Sequence, residues 1–198
     1  MSTDSMNLLS GNYFEDESFR KENLCRLIFS GKEFSGCEFR NCDLSEADFS
    51  RAIFEDCLFI DCNMSLIKLA NTNLRSIEFK KCKLVGSNFS QVDPFCLDIK
   101  FSKCRMQTCN FSDLDLHDCT MTNCEILESD FMQTKLTGAN FKGSKFTGTT
   151  FLDCNLTRAN FEDAEDYLIN PLRNRIEKAI FSLPEAITLL KAFDIIIK

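Results

Sequence analysis

Histidine is almost missing from this chain: among 198 residues, only His117 carries an imidazole. A Cys/His zinc centre therefore has almost no material, and no Ser/His/Asp set with a usable base can be assembled. No glycine loop of phosphate-binding spacing is present either, so neither a catalytic activity nor a cofactor is expected. Twelve cysteines occur, but none is spaced C-x-x-C as a redox or zinc motif would be. No run approaches the roughly 18 consecutive apolar residues that span a bilayer. Residues 1–12 lack the basic start and apolar core of a secretory signal, which makes a cytoplasmic location the expectation. Basic excess is also absent. A formal net charge of −7 favours solubility and argues against direct binding of free nucleic acid.

What the chain does have is a large apolar residue at every fifth position. The series runs Phe34, Phe39, Leu44, Phe49, Phe54, Phe59, Met64 and on to Phe89, slips by two, and resumes from Phe101 to Phe161. Two positions before each centre sits a small or apolar residue, such as Cys37, Cys42, Ala47, Cys57, Cys62, Cys104 or Ala139. Most cysteines obey this register and read as small buried filler, since free Cys behaves as a minor hydrophobe. A period of five fits neither the helical repeat near 3.6 nor the strand repeat of 2. Fixed-period self-similarity predicts a solenoid, in which each repeat buries its apolar side only against its neighbours.

The runs "CDLSEADFSRAIF" and "TGANFKGSKFTGTTFLDCNLTRANF" resemble the pentapeptide-repeat pattern A-(D/N)-(L/F)-x-x. That resemblance implies an all-β fold, a right-handed quadrilateral β-helix with four pentapeptides per coil and a short C-terminal helical segment. Residues one coil apart then stack about 4.8 Å from each other, and the strict region makes a rod of roughly 30 Å. Three parts are expected: a degenerate N-terminal capping coil over residues 1–33, the repeat rod over 34–161, and a helical cap and dimerisation segment over 162–198. Phe14, Phe19, Leu24 and Phe29 keep the phase in the first part, with Glu17, Glu22 and Lys32 among their inward partners.

The register slip falls at residues 91–95 and contains the only proline of the repeats, Pro94. With Asp93 and Phe95 it marks either a tolerated kink or a projecting functional turn. Taking Cys96 as the next centre keeps the four faces continuous. After Phe161 the tail reads as a short helix following Pro171, an extended stretch over 179–182, and a second helix. Ser182 and Glu185 have capping-box spacing there. Leu183, Ala186, Ile187, Leu190 and Phe193 fall on one helical stripe, and Ile195, Ile196 and Ile197 are too apolar for water. This segment is expected to cover the last coil, to join two rods as a homodimer, or both.

The tail "DYLINP…FSLPEA…LLKAFDI" also resembles the quinolone-resistance (Qnr-type) and McbG-like, topoisomerase-protecting pentapeptide-repeat proteins. The resemblance implies a rod-shaped dimer that acts on DNA gyrase or topoisomerase IV and imitates its duplex. Charge limits the imitation. Residues 34–161 hold 17 acids against 14 bases, whereas 30 Å of duplex carries roughly 18 negative charges. Locally the balance differs, because residues 106–134 hold six acids and no lysine or arginine. Asp98, Asp115 and Asp118 on one face, with Asp113, Asp130 and Asp153 on the next, would form an acidic corner interrupted by Lys135 and Arg158. That corner is either a partner-binding site or a solvated surface. Lys68, Arg75, Lys80, Lys81 and Lys83 form a basic stretch that a pure duplex mimic does not need. The alternative to a topoisomerase ligand is an interaction scaffold with another partner, since the fold alone implies no role.

Overall fold

The computed structural model describes residues 10–196. They form a right-handed quadrilateral β-helix of about eight turns with little helix. Every strand pairing among the described residues is parallel and joins positions one turn apart. Phe34 lies between Phe14 and Phe54, and Phe39 between Phe19 and Phe59. The first face carries strands Tyr13–Glu15, Glu33–Ser35, Ile53–Glu55 and Asn73–Arg75; the second carries six, from Ser18–Arg20 to Thr120–Thr122. Lys83–Val85, Arg105–Gln107 and Glu125–Leu127 lie on the third face. Asp130–Met132, Thr150–Leu152 and Leu168–Ile169 lie on the fourth.

Each position of the repeat has a physical task. The centre points inward, and its ring stacks on the ring one turn away: Phe34 on Phe54 at 4.9 Å, Phe39 on Phe59 at 4.8 Å, Phe111 on Phe131 at 4.9 Å. The residue two before it also points inward, where a small side chain that can donate a hydrogen bond fits best. The thiols of Cys57 and Cys62 lie 3.4 Å from the carbonyls of Phe34 and Phe39 in the preceding turn. The hydroxyls of Thr72, Thr134 and Ser144 make the same bond to Phe49, Phe111 and Met121 at 2.8, 3.0 and 2.6 Å. Cysteine is thus one of several interchangeable donors, which explains its abundance without redox chemistry.

The residue two after each centre turns the corner with positive φ, as at Asp56 (51°), Lys81 (54°) and Asp118 (52°). Left-handed backbone costs roughly 1–2 kcal/mol for an L residue. A ladder bond offsets this at each corner, as from the Asp56 N–H to the Arg75 carbonyl at 3.0 Å.

Face partners stand 20 residues apart at Phe59↔Phe79, 22 apart at Phe79↔Phe101, and 20 apart again at Phe101↔Met121. The two extra residues form a bulge between buried Val92 and Ile99. Here one sequence expectation fails: Cys96 is exposed with φ of 57°, and half-buried Leu97 packs on the core instead. Pro94 has no N–H to give the ladder. The chain therefore leaves the sheet after Asp93 and rejoins at Asp98, whose N–H bonds the Leu74 carbonyl at 3.1 Å.

The end of the rod also differs from the sequence reading. No helix follows Pro171; that stretch is a turn, and the solenoid runs on to Phe181, so the coil boundary lies beyond 161. Leu168–Ile169 pairs with Thr150 and Phe151, Arg175 bridges Asn155, and Phe181 stacks on Phe161 at 5.2 Å. The pattern was hidden because these partners are 18 and then 20 residues apart, and because Asn174 fills an inward site. Its amide donates to the Phe151 carbonyl at 3.0 Å and accepts from the Cys154 N–H at 2.9 Å. The capping box does not form either: Ser182 Oγ accepts from the Asp163 N–H at 3.0 Å. The terminal helix, Glu185–Phe193, is a 3-10 helix.

Ten of the twelve cysteines are buried, with Cys25 half-buried and Cys96 exposed. Burial pushes the Cys109 and Cys119 thiols up to about 11 and about 12. Native protein treated with an aromatic disulfide reagent should therefore label Cys96 at once and Cys25 more slowly. The other ten should react only on unfolding. Fast labelling of three or more thiols would contradict this packing.

Candidate functional site

The six acids do not meet at one corner; they are spread over the fourth and first faces. Asp113 turns the corner between them with φ of 62°, and Asp130 lies in a fourth-face strand. Asp115 bridges Lys135 on the first face, and Asp118 turns the far edge of that face. Asp153 lies two turns from Asp113, on the same corner row. Asp98 rejoins the ladder at the end of the bulge, and its carboxylate accepts from Ser76 Oγ at 3.5 Å.

These six are not equivalent. Asp115 is tied to Lys135 at 3.1 Å and to His117 Nδ1 at 3.0 Å, and Asp153 is held by Arg173 at 3.2 Å. Burial pushes the Asp115 carboxyl up, but hydrogen bonds from Lys135 and His117 outweigh it and leave the group below its usual range. Asp98, Asp113, Asp118 and Asp130 make no ion pair among the described residues. The Asp118 carboxylate lies over Gly138, where a Cβ would collide with its Oδ1. The unneutralised acids are therefore Asp113 at the corner of the fourth and first faces, Asp98 and Asp118 at the corner of the first and second, and Asp130 in a fourth-face strand. Arg173 was missed in the sequence, although it stands 20 residues from Asp153, the spacing that defines a ladder neighbour.

At the bulge, the Asp93 carboxylate accepts the Phe95 N–H at 2.9 Å, which tightens the turn around Pro94. Phe95 is 67% exposed and its ring lies 6.0 Å from the Arg75 guanidinium. This turn sits on the first face, one coil before Asp115 and Asp118.

Among the described residues, most exposed large apolar side chains lie toward the C-terminal end. With three residues per turn, the 3-10 helix sorts its side chains into rows. Ala186, Leu189 and Ala192 are partly covered, Leu189 against the core, while Ile187, Leu190 and Phe193 are 43%, 40% and 49% exposed. Leu183, Ile195 and Ile196 add 78%, 55% and 88% exposure beside them. Ile197 lies outside the described residues. The sequence reading put Ala186 on the same stripe as Ile187; the tighter helix separates them. Leu168, Leu172 and Ile180 are also exposed on the last coil, Leu168 on the fourth face beside this helix and Ile180 on the second face.

Among the described residues no group of three or more His, Cys, Asp or Glu is placed to hold a metal ion. No helix among them is long and apolar enough to cross a membrane.

A profile of the pentapeptide repeat region matches residues 32–100 and 97–165. No curated protein sequence matches significantly. Among solved structures, trypsin-treated QnrB1, a plasmid-mediated fluoroquinolone resistance protein, is 20% identical with a TM-score of 0.48, over 94% of this chain and 100% of that one. HetL from the cyanobacterium Nostoc, involved in heterocyst differentiation regulation, is 15% identical with a TM-score of 0.50, over 92% and 93%. Rfr23 from the cyanobacterium Cyanothece is 12% identical with a TM-score of 0.31, over 90% and 97%. Identities this low speak to the fold alone. The profile match spans most of the solenoid, and the chain belongs to the pentapeptide repeat family.

Proposed function

We propose that this chain is a non-enzymatic binding protein of the cytoplasm, a homodimer through its C-terminal segment, whose partner is a type II topoisomerase. DNA gyrase is the first candidate and topoisomerase IV the second. The observation that carries the reading is the set of exposed, unneutralised carboxylates of Asp98, Asp113, Asp118 and Asp130, spread over the fourth and first faces and their edges. A surface built to hold duplex DNA is basic, and it complements exposed carboxylates on adjoining faces. The sequence resemblance of the tail to topoisomerase-protecting members supports the same partner. Protection from a quinolone or a gyrase-poisoning toxin would follow from competition with the duplex.

The test is a supercoiling assay with purified gyrase, titrating this protein with and without a fluoroquinolone. Rescue of supercoiling supports protection, and inhibition alone supports duplex mimicry without protection. Asp113→Lys with Asp118→Lys should weaken either effect at least tenfold while the thermal melt stays unchanged. Lysine already occupies such corners at Lys21 and Lys81, with φ of 55° and 54°. Full potency in that double variant removes these acids from the reading. No effect of the wild type at tens of micromolar favours the second reading, a scaffold for another protein. The occurrence of this fold in a regulator of heterocyst differentiation favours that alternative.

A further inference from the structure

A net charge of −7 is an average, and the fold does not spread it evenly. Residues 75–105 hold seven bases against three acids. The solenoid gathers six of those bases, from two successive turns, around the edge between the second and third faces. Lys80 and Lys100 lie on the second face, Lys81 and Lys103 turn the edge with φ of 54° each, and Lys83 lies across the ladder from Arg105 on the third. Lys81, Lys83, Lys100, Lys103 and Arg105 are exposed. Acids are few beside them. Glu78 lies across from Lys100 but pairs with Lys80, Glu125 meets Arg105 at 3.5 Å, and Asp61 turns the same edge one turn before Lys81. Lys81, Lys83, Lys100 and Lys103 make no ion pair among the described residues. Arg20 also lies across from Arg40, but there Glu38 pairs with both.

The chemistry of this edge selects its partner. The exposed large apolar residues of the neighbouring turns, Leu66 and Phe95, lie on other edges of the rod. A protein partner wants an apolar centre inside a polar rim, and this edge supplies none. Cations alone suit a partner that offers phosphates, and phosphate contact supplies nearly all of sequence-independent DNA binding. The layout points the same way. From Lys100 to Arg105 the chain runs a contour of about 17 Å, at roughly 3.3 Å per residue, bent around a convex edge. Cations therefore sit on both flanks of the edge as well as on its crest. The major groove of B-DNA is about 12 Å wide, and it takes such an edge with the phosphates of one strand facing each flank. The deep, narrow major groove of an RNA helix does not.

We infer that the edge of Lys81, Lys83, Lys100, Lys103 and Arg105 binds the phosphates of duplex DNA without regard to sequence. Acids elsewhere on the rod oppose this only modestly, because exposed charges more than about 10 Å apart are largely screened at 0.1 M salt. The inference does not rest on the topoisomerase reading. It uses a different edge of the rod from those that Asp98, Asp113 and Asp118 occupy.

The experiment is fluorescence anisotropy of a labelled 30-base-pair duplex, titrated with the full chain from 20 to 200 mM salt with no topoisomerase present. Four phosphate contacts give a slope of about −3.6 in log affinity against log salt, roughly a hundredfold loss between 50 and 200 mM. Lys81→Glu with Lys83→Glu and Lys103→Glu should weaken binding at 50 mM by about thirtyfold or more. Lys135→Glu with Arg158→Glu and Lys178→Glu makes the same change in net charge on the first face and its edge, and should weaken it less than about threefold. Glu46 and Glu128 already sit at left-handed corners, so the reversals keep the backbone.

Absence of binding at 20 mM salt would overturn the inference. Equal losses in the two variants would also overturn it, since they would report net charge and no site. Tighter binding of a labelled polyglutamate than of the duplex would overturn it in favour of an acidic protein partner. Duplex binding is read with no enzyme present, so its failure leaves the supercoiling result standing, and a negative supercoiling assay leaves this one standing.

Discussion

Phe131→Asp unfolds the rod, whereas Gln133→Asp, two residues away, leaves the melting curve almost unmoved. Phe131 is fully buried between Phe111 at 4.9 Å and Phe151 at 5.1 Å, with Phe141 edge-on at 6.3 Å. Loss of such a ring alone costs about 3–5 kcal/mol. An unpaired carboxylate in its place adds the cost of burying a charge among aromatic rings, several kcal/mol more. Domains of this size hold only about 5–15 kcal/mol in total, so the variant falls near or below zero stability. Gln133 is exposed and turns a corner with φ of 55°, a conformation that aspartate adopts at Asp113 and Asp153. Urea unfolding followed by far-UV circular dichroism measures both. A Phe131→Asp protein with a wild-type midpoint would mean that the column is not what holds the turns together.

Legibility from sequence tracks the same physics. The solenoid could be read because steric demand at the interior repeats along most of the rod: Phe54, Phe59, Phe111 and Phe131 each stand where a ring stacks on the next turn. Most of the acids could be assigned to a face because the register does so, but the six do not share one corner, and Asp98 was assigned through Cys96, which is no centre. Harder to read were the particular side chains that pair across turns and a change of helix type. Arg173 and Lys135 neutralise Asp153 and Asp115 only because the ladder sets them side by side. Cys96 looked like a centre because counting by fives cannot register that Pro94 has no hydrogen to donate. Asn174 concealed the last coil because amide, thiol and hydroxyl all satisfy the same inward site, and composition alone does not announce that equivalence. The tail was read with a 3.6-residue turn, so its covered and uncovered rows were merged into one.

That last distinction sets the sharpest test of the dimer. Ile187→Glu with Leu190→Glu and Phe193→Glu should halve the mass in solution, from about twice 22.7 kDa to 22.7 kDa, and leave a folded rod. Full burial of each such side chain contributes about 1.5–3 kcal/mol. An isologous interface counts each residue twice, and the substitution replaces that gain with like charges facing each other across the two-fold. Folding should survive because the covered row of Ala186, Leu189 and Ala192 is untouched. A simple truncation after Asp163 is a poorer test. It would strip Tyr167 and Phe181 from the last coil and bare Phe161, on which Phe181 stacks at 5.2 Å. The mass is best measured by sedimentation equilibrium in 500 mM salt, where association through exposed charges is screened. A wild type that remains monomeric there at tens of micromolar would end the tail-joined arrangement. A triple variant that stays dimeric would move the interface to another surface, and Leu168, Leu172 and Ile180 on the last coil would be the next residues to change.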